Sequence, residues 1–159
     1  MIRTKRFKYT PKELFSLLIT LYFKKSWWVY VLVLILVMIM TEVDNQESLT
    51  LFLGVFTILY PFFYAIQLWK FVKSKSNKLL SSERLYEIDN EKIQGIFDEV
   101  THSTIKLDHF IKVEFISNTY LLFLSKSQFI YIPVESFEQE SDRMWFDAEV
   151  ISKIKNRLG

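Results

Sequence analysis

LTLFLGVFTILYPFFYAIQLW, residues 49–69, contains no charged side chain. At the helical rise of about 1.5 Å per residue it reaches about 30 Å, the depth of a bilayer's hydrocarbon core. The run before it, WWVYVLVLILVMIMT at residues 27–41, is shorter, so its flanks decide its reading. Lys24 and Lys25 stand just ahead of Trp27, Trp28 and Tyr30, the basic and aromatic border of a helix leaving the headgroups, and lysine stems lengthen such a span by snorkelling. Only the acidic stretch Glu42-Val43-Asp44-Asn45-Gln46-Glu47-Ser48 separates the two runs, so together they predict a transmembrane helical hairpin. A secretory signal also places basic residues before an apolar core. Here, however, the run begins at Trp27, no small-residue cleavage pattern follows Met40, and a second apolar run comes at once.

Within the second run, Pro61 removes a backbone donor and is expected to bend the helix near Thr57, while Gln67 lies close to the interface. Neither run contains Asp, Glu, Lys, Arg or His, which argues against a proton relay or ion pathway. Orientation follows from the basic residues near the helix ends. Arg3, Lys5, Arg6, Lys8, Lys12, Lys24 and Lys25 precede the first run, the loop has none, and Lys70, Lys73, Lys75 and Lys78 follow the second. Both termini are therefore expected in the cytoplasm, with the loop outside.

The formal charge of +2 conceals a division: residues 1–78 carry 11 basic and 4 acidic side chains, residues 79–159 carry 9 and 14. The basic part suits anionic lipid, whereas the acidic part makes nucleic acid an unsuitable partner. With no cysteine, disulfides and thiol chemistry are excluded.

Residues 2–9 alternate imperfectly and predict a short strand. Because its backbone groups need partners, it is expected to add to an edge of the C-terminal sheet, where Arg3, Lys5, Arg6 and Lys8 meet acidic surroundings. Thr10-Pro11-Lys12-Glu13 then reads as a capping box with proline at the first helical position, opening an apolar helix expected to lie in the interface or against the globular domain. After a linker at 79–84, strands are expected at 84–89, 92–97, 103–107, 110–116, 119–124 and 128–132, with turns at Asp89-Asn90-Glu91, Ser117-Asn118 and Lys126-Ser127. Ile111, Val113 and Phe115 alternate with Lys112 and Glu114, which predicts Phe115 in the core alongside Leu122 and Phe123. From Ser141 onward, Phe146, Val150, Ile154 and Leu158 recur at helical spacing with Ile151 beside them, a closing amphipathic helix with Asp142 near its start and Lys155 and Arg157 near its end.

The expected fold is a membrane α-helical hairpin plus an α+β domain in three parts: residues 1–25 a strand and interfacial helix, 26–70 the hairpin, and 79–159 the cytoplasmic domain. The order of two spanning helices, strands, Tyr131-Ile132-Pro133, Glu135-Ser136-Phe137 and a final helix, entered through Tyr9-Thr10-Pro11, resembles the YcxB-like family of small bacterial membrane proteins. The resemblance implies a pleckstrin-homology-like antiparallel sheet closed by the C-terminal helix, in the bacterial plasma membrane. It brings no activity with it. Where the family commonly has Trp this chain has Phe110, and where a basic residue commonly follows the proline it has Val134.

Reactive chemistry finds little support. His102 and His109 lack ligand spacing, and Asp108-His109 with Ser103 lacks the glycines of a nucleophile elbow. The Glu87, Asp89, Glu91 and Asp98, Glu99 clusters lack the order of a calcium loop, and Gly54, Gly95 and Gly159 form no phosphate-cradling loop. No catalytic, cofactor-binding or metal residue is expected, and no binding residue can be named. The function expected is that of a non-enzymatic, membrane-anchored binding or accessory protein, with membrane lipid, a protein or peptide, or a second copy of the chain as partners. The alternative is a bacteriocin or toxin immunity protein acting through the hairpin.

Overall fold

Thr10 starts the first helix as its spacing predicts. Its backbone N–H donates to Glu13 Oε2 at 2.7 Å, and the Glu13 N–H donates to Thr10 Oγ1 at 3.3 Å, so two orphan donors are satisfied reciprocally. From that cap α1 runs unbroken over Pro11–Val43. The separate interfacial helix expected to end at residue 25 is therefore the first part of α1, because no proline or glycine lies between residues 12 and 43 to end it. The second helix, α2, covers Glu47–Lys73 and continues through Pro61, while the Thr57 hydroxyl donates to the Leu53 carbonyl at 2.7 Å. The two helices pack together through Tyr22 stacked on Tyr64 and Phe15 edge-on to Trp69.

The computed structural model describes residues 1–43, 47–74, 81–97, 101–126 and 128–158. The loop residues 44–46, the linker expected at 79–80, Lys75 and Lys78, Asp98 and Glu99, and Ser127 of the last expected turn lie outside them. Two compact units result: Thr10–Leu80, which holds the hairpin, and Met1–Tyr9 together with Ser81–Gly159. Both helices are long and apolar enough to cross a membrane. Their large apolar side chains point outward, with Met38 69%, Leu51 71% and Phe62 66% exposed, a surface that hydrocarbon solvates and water does not.

The other unit is built from two antiparallel sheets. In the first, β1 (Ile2–Arg3), β2 (Leu85–Ile88), β3 (Lys92–Ile96) and β4 (His102–Lys106) lie side by side in that order. In the second, β6 (Thr119–Phe123) is flanked by β5 (Lys112–Ile116) and β7 (Phe129–Pro133), and all five of its residues are buried, as the nearly continuous apolar run predicts. The turns follow from their residues. Asp89 Oδ1 accepts the backbone N–H groups of Glu91 and Lys92, each at 2.8 Å, and Ser117 and Asn118 adopt φ of 48° and 61°, the mirror-image turn that matches strand twist in a two-residue hairpin. Pro133 ends an outer strand, where its missing donor interrupts no ladder.

The predicted closing helix is present in three segments: α3 (Glu140–Trp145), a π-helical turn (Phe146–Ile151) and α4 (Ser152–Leu158). Phe146, Val150, Ile151 and Ile154 are buried and join Ile88, Ile93, Phe110, Tyr120, Leu122 and Ile132 in one core; the side chain of Leu158 lies outside the described residues. The strand expected over residues 2–9 is regular only at Ile2–Arg3, which pairs with the edge of the first sheet: Ile2 opposes Ile88 and Arg3 opposes Glu87 with 3.6 Å between their charged groups; beyond it Thr4 bridges to Phe137, and the Phe7 and Arg84 backbones exchange hydrogen bonds of 2.9 Å.

Phe115 corrects the expected core. Val113 packs against the core, yet Phe115 is 50% and Ile111 51% exposed. Alternation does not mark the covered face of this outer strand: only Val113 of the expected apolar face packs inward, while Ile116 at its end is buried and the Glu114 side chain is only 14% exposed. Truncating the fully buried ring, Phe146→Ala, is expected to cost about 3–5 kcal/mol and Leu122→Ala about 2–5 kcal/mol. Phe115→Ala is expected to cost about 1 kcal/mol, since half of its surface is already wet. Denaturant unfolding of the three variants checks that order.

Candidate functional site

Three elements distant in sequence meet at the end of the first sheet. The β2–β3 turn contributes Glu91, the facing ends of β3 and β4 contribute Lys92 and Lys106, and the 3-10 turn at Leu107–His109 contributes Asp108. The closing helix supplies Lys153 and Arg157, one turn apart on the same face. Together they line a cavity of about 430 Å³ with Leu107 and Ile154 as its apolar part.

The helix is held in this position by its own cations. Arg157 Nη1 donates to the Leu107 carbonyl at 3.1 Å and Nη2 to the Phe110 carbonyl, while Lys153 Nζ donates to the Asn90 carbonyl at 2.7 Å. These acceptors are neutral, so neither positive charge is cancelled. Lys92 and Lys106 are directly opposite in the β3–β4 register, which places two ammonium-bearing side chains on one face of adjacent strands. Among the described residues, neither makes an ion pair. Four cations thus face one cavity against the two carboxylates of Glu91 and Asp108, an arrangement suited to holding an anion. The neighbouring Asp89 carboxyl is held below the usual carboxylate range chiefly by the Glu91 N–H, helped by the Lys92 N–H and charge.

A second cavity, of about 290 Å³, lies between β5 and the closing helix. There the Tyr120 hydroxyl donates to Asp147 Oδ2 at 2.8 Å, and Arg143 stands 3.8 Å from the same carboxylate while pairing with Glu140. Burial, reinforced by the hydrogen bond to Asp147 and its charge, pushes the Tyr120 hydroxyl up to about 12. Arg143 and Asp147 of this cavity are thus paired with each other and with Tyr120 and Glu140, and Lys155 also lines it.

The residues weighed for catalysis do not assemble. His109 is exposed with Asp108 3.7 Å away, and Ser103 lies opposite Gly95 in the β3–β4 ladder without a hydrogen bond to either histidine among the described residues. No three His, Asp or Glu side chains converge as a metal set among the described residues, and Glu87 is occupied by Arg3. The basic cavity was not visible in the sequence: it depends on the β3–β4 register and on where the closing helix docks, and net charge pointed the other way.

The class of protein is thus an antiparallel β unit joined to two helices long and apolar enough to cross a membrane. Residues 88–144 match the family model described as YcxB-like protein, a segment running from the end of β2 into α3. No curated protein and no solved structure matches the chain. The motif residues that carry the resemblance are structural. Tyr131 stacks on Tyr9 at 4.7 Å, the Ser136 hydroxyl donates to the Pro133 carbonyl at 2.7 Å, and the Lys5 N–H donates to the Ser136 carbonyl at 2.7 Å.

Two predictions follow from these cavities. Lys106→Gln removes a directly opposed like charge and is expected to raise the unfolding midpoint of the protein by roughly 1–5 °C, measured by thermal denaturation. Because the folded-state pKa of Tyr120 lies above its ordinary value of 10, its contribution to stability is present below about pH 10 and is lost as pH rises toward 12. Tyr120→Phe is expected to be less stable at neutral pH and to show a shallower alkaline decline.

Proposed function

We propose that the chain is a non-enzymatic, membrane-anchored binding or accessory protein whose hairpin crosses the bacterial plasma membrane and whose β unit is presented at the cytoplasmic face. The observation that carries this reading is that the hairpin is an insertion within the β unit. Residues 10–80 depart after the strand segment 2–9 and return to β2, the strand with which that segment pairs. A hairpin that crosses twice brings both ends to one side, as such pairing requires. Seven basic side chains before the first run and none in the loop make that side the cytoplasm.

A pleckstrin-homology-like architecture for the β unit is supported by antiparallel sheets of four and three strands followed by a closing helix. Its partners are membrane lipid and a protein or peptide, with self-association a further form of the same role. Nucleic acid is a poor partner for residues that carry 14 acidic against 9 basic groups. The binding reading is preferred to an immunity protein acting through the hairpin because a cavity lined by four cations lies in the β unit.

Since the chain has no native cysteine, single cysteines report topology cleanly. Ser48→Cys is expected to react with an impermeant maleimide on intact cells, and Ser127→Cys only after lysis. Labelling of Ser127→Cys on intact cells contradicts the proposal.

A further inference from the structure

We propose that the cavity lined by Lys92, Lys106, Lys153 and Arg157 binds a phosphomonoester, carried either by a lipid headgroup or by a small soluble molecule. This rests on the reading of the β unit as a binding module and names its ligand class.

The first support is the conflict between Lys92 and Lys106. Directly opposed like charges destabilise a sheet, and among the described residues neither lysine lies within ion-pair distance of a carboxylate, the Lys92 charge acting on Asp89 only from further off. A doubly charged anion between the two would set two attractions against that one repulsion. The second support is the donors left over. Arg157 has five N–H donors, of which the Leu107 and Phe110 carbonyls use two, and Lys153 has three, of which the Asn90 carbonyl uses one. Both cations are fixed in place by backbone carbonyls, so little orientational freedom is lost when an anion arrives.

Size and the remaining charges narrow the ligand. A cavity of about 430 Å³ is of the size that takes a compact headgroup. Glu91 and Asp108 line the same cavity and would repel negative charge spread along an acidic peptide. They would instead accept hydroxyl donors, and a phosphomonoester of glycerol or a sugar supplies hydroxyls beside one concentrated charge.

The test uses the full-length chain in phosphatidylcholine nanodiscs, with glycerol 3-phosphate as the probe and its phosphorus NMR line width as the readout. The parent protein is expected to broaden the line saturably. The double variant Lys92→Gln/Lys106→Gln is expected to bind at least about tenfold more weakly while remaining folded, since relieving the repulsion favours the sheet. Lys112→Gln, whose lysine is paired with Glu114 on β5, is expected to behave as the parent does. Phosphatidic acid in the nanodisc that displaces the probe identifies a lipid source, and failure to displace it identifies a soluble one. The proposal is overturned if the parent leaves the line unchanged, if the double variant binds like the parent, or if an oligoglutamate peptide binds this cavity in place of glycerol 3-phosphate. Such a result would remove the phosphate ligand alone, because the anchored topology is read separately by cysteine labelling.

Discussion

The rest of this structure depends on the hydrogen bonding of residues 2–9 to segments more than 70 residues away. The Thr4 N–H donates to the Tyr86 carbonyl at 2.9 Å, and the Tyr86 N–H returns to Thr4 Oγ1 at 2.8 Å. Lys5 reaches Ser136, Phe7 and Arg84 bond in both directions, and the Tyr9 hydroxyl meets Thr119. A lone edge segment this short has no hydrogen-bonded state of its own, and its buried donors and acceptors would be expensive to leave unmade. Once it is in place, Thr4, Phe7 and Tyr9 cover Tyr86 and Tyr131, and the first sheet gains its outer strand. The price of this arrangement is kinetic: the hairpin must be made before β2 exists to receive β1, so the sheet closes over a long sequence separation.

Charge follows the same connection. Residues 79–159 alone carry 14 acidic and 9 basic groups, while residues 1–9 bring four basic and no acidic ones, so the completed unit is nearly neutral. Among the described residues, the Arg3–Glu87 contact is the direct pair of this segment with the rest of the unit, and it is partly exposed, worth little by itself. The larger effect is on the whole unit: near neutrality lets local clusters such as Lys92 and Lys106 set the surface potential where they occur.

Legibility in the sequence was divided by the range of the interaction concerned. The capping box at Thr10, the turns at Asp89 and Ser117-Asn118, and the strands between them are set by residues within a few positions of one another, and each appears close to its predicted place. The docking of residues 2–9 was inferable because unpaired backbone groups and complementary charge both demanded it. Phe115 was misread because alternation along an outer strand does not mark its covered face. The basic cavity was illegible, since Lys92 meets Lys106 only through strand register and Arg157 reaches Leu107 only after the closing helix has docked. The continuity of α1 was obscured by the change of composition near Lys24 and Lys25, which is not a helix boundary.

The pairing of β1 with β2 is the claim on which the inserted hairpin rests, and the absence of native cysteine makes it directly measurable. Arg3 and Glu87 are register partners, so their Cα atoms lie at the separation of opposed strand residues, about 4.5–5.5 Å, within the range that a disulfide spans. The variant Arg3→Cys/Glu87→Cys should form an intramolecular disulfide under mild oxidation of the full-length protein in membranes. Arg3→Cys/Gln94→Cys, which moves the second cysteine one strand further to β3, should not. Equal crosslinking of both pairs, or of neither, would contradict the account.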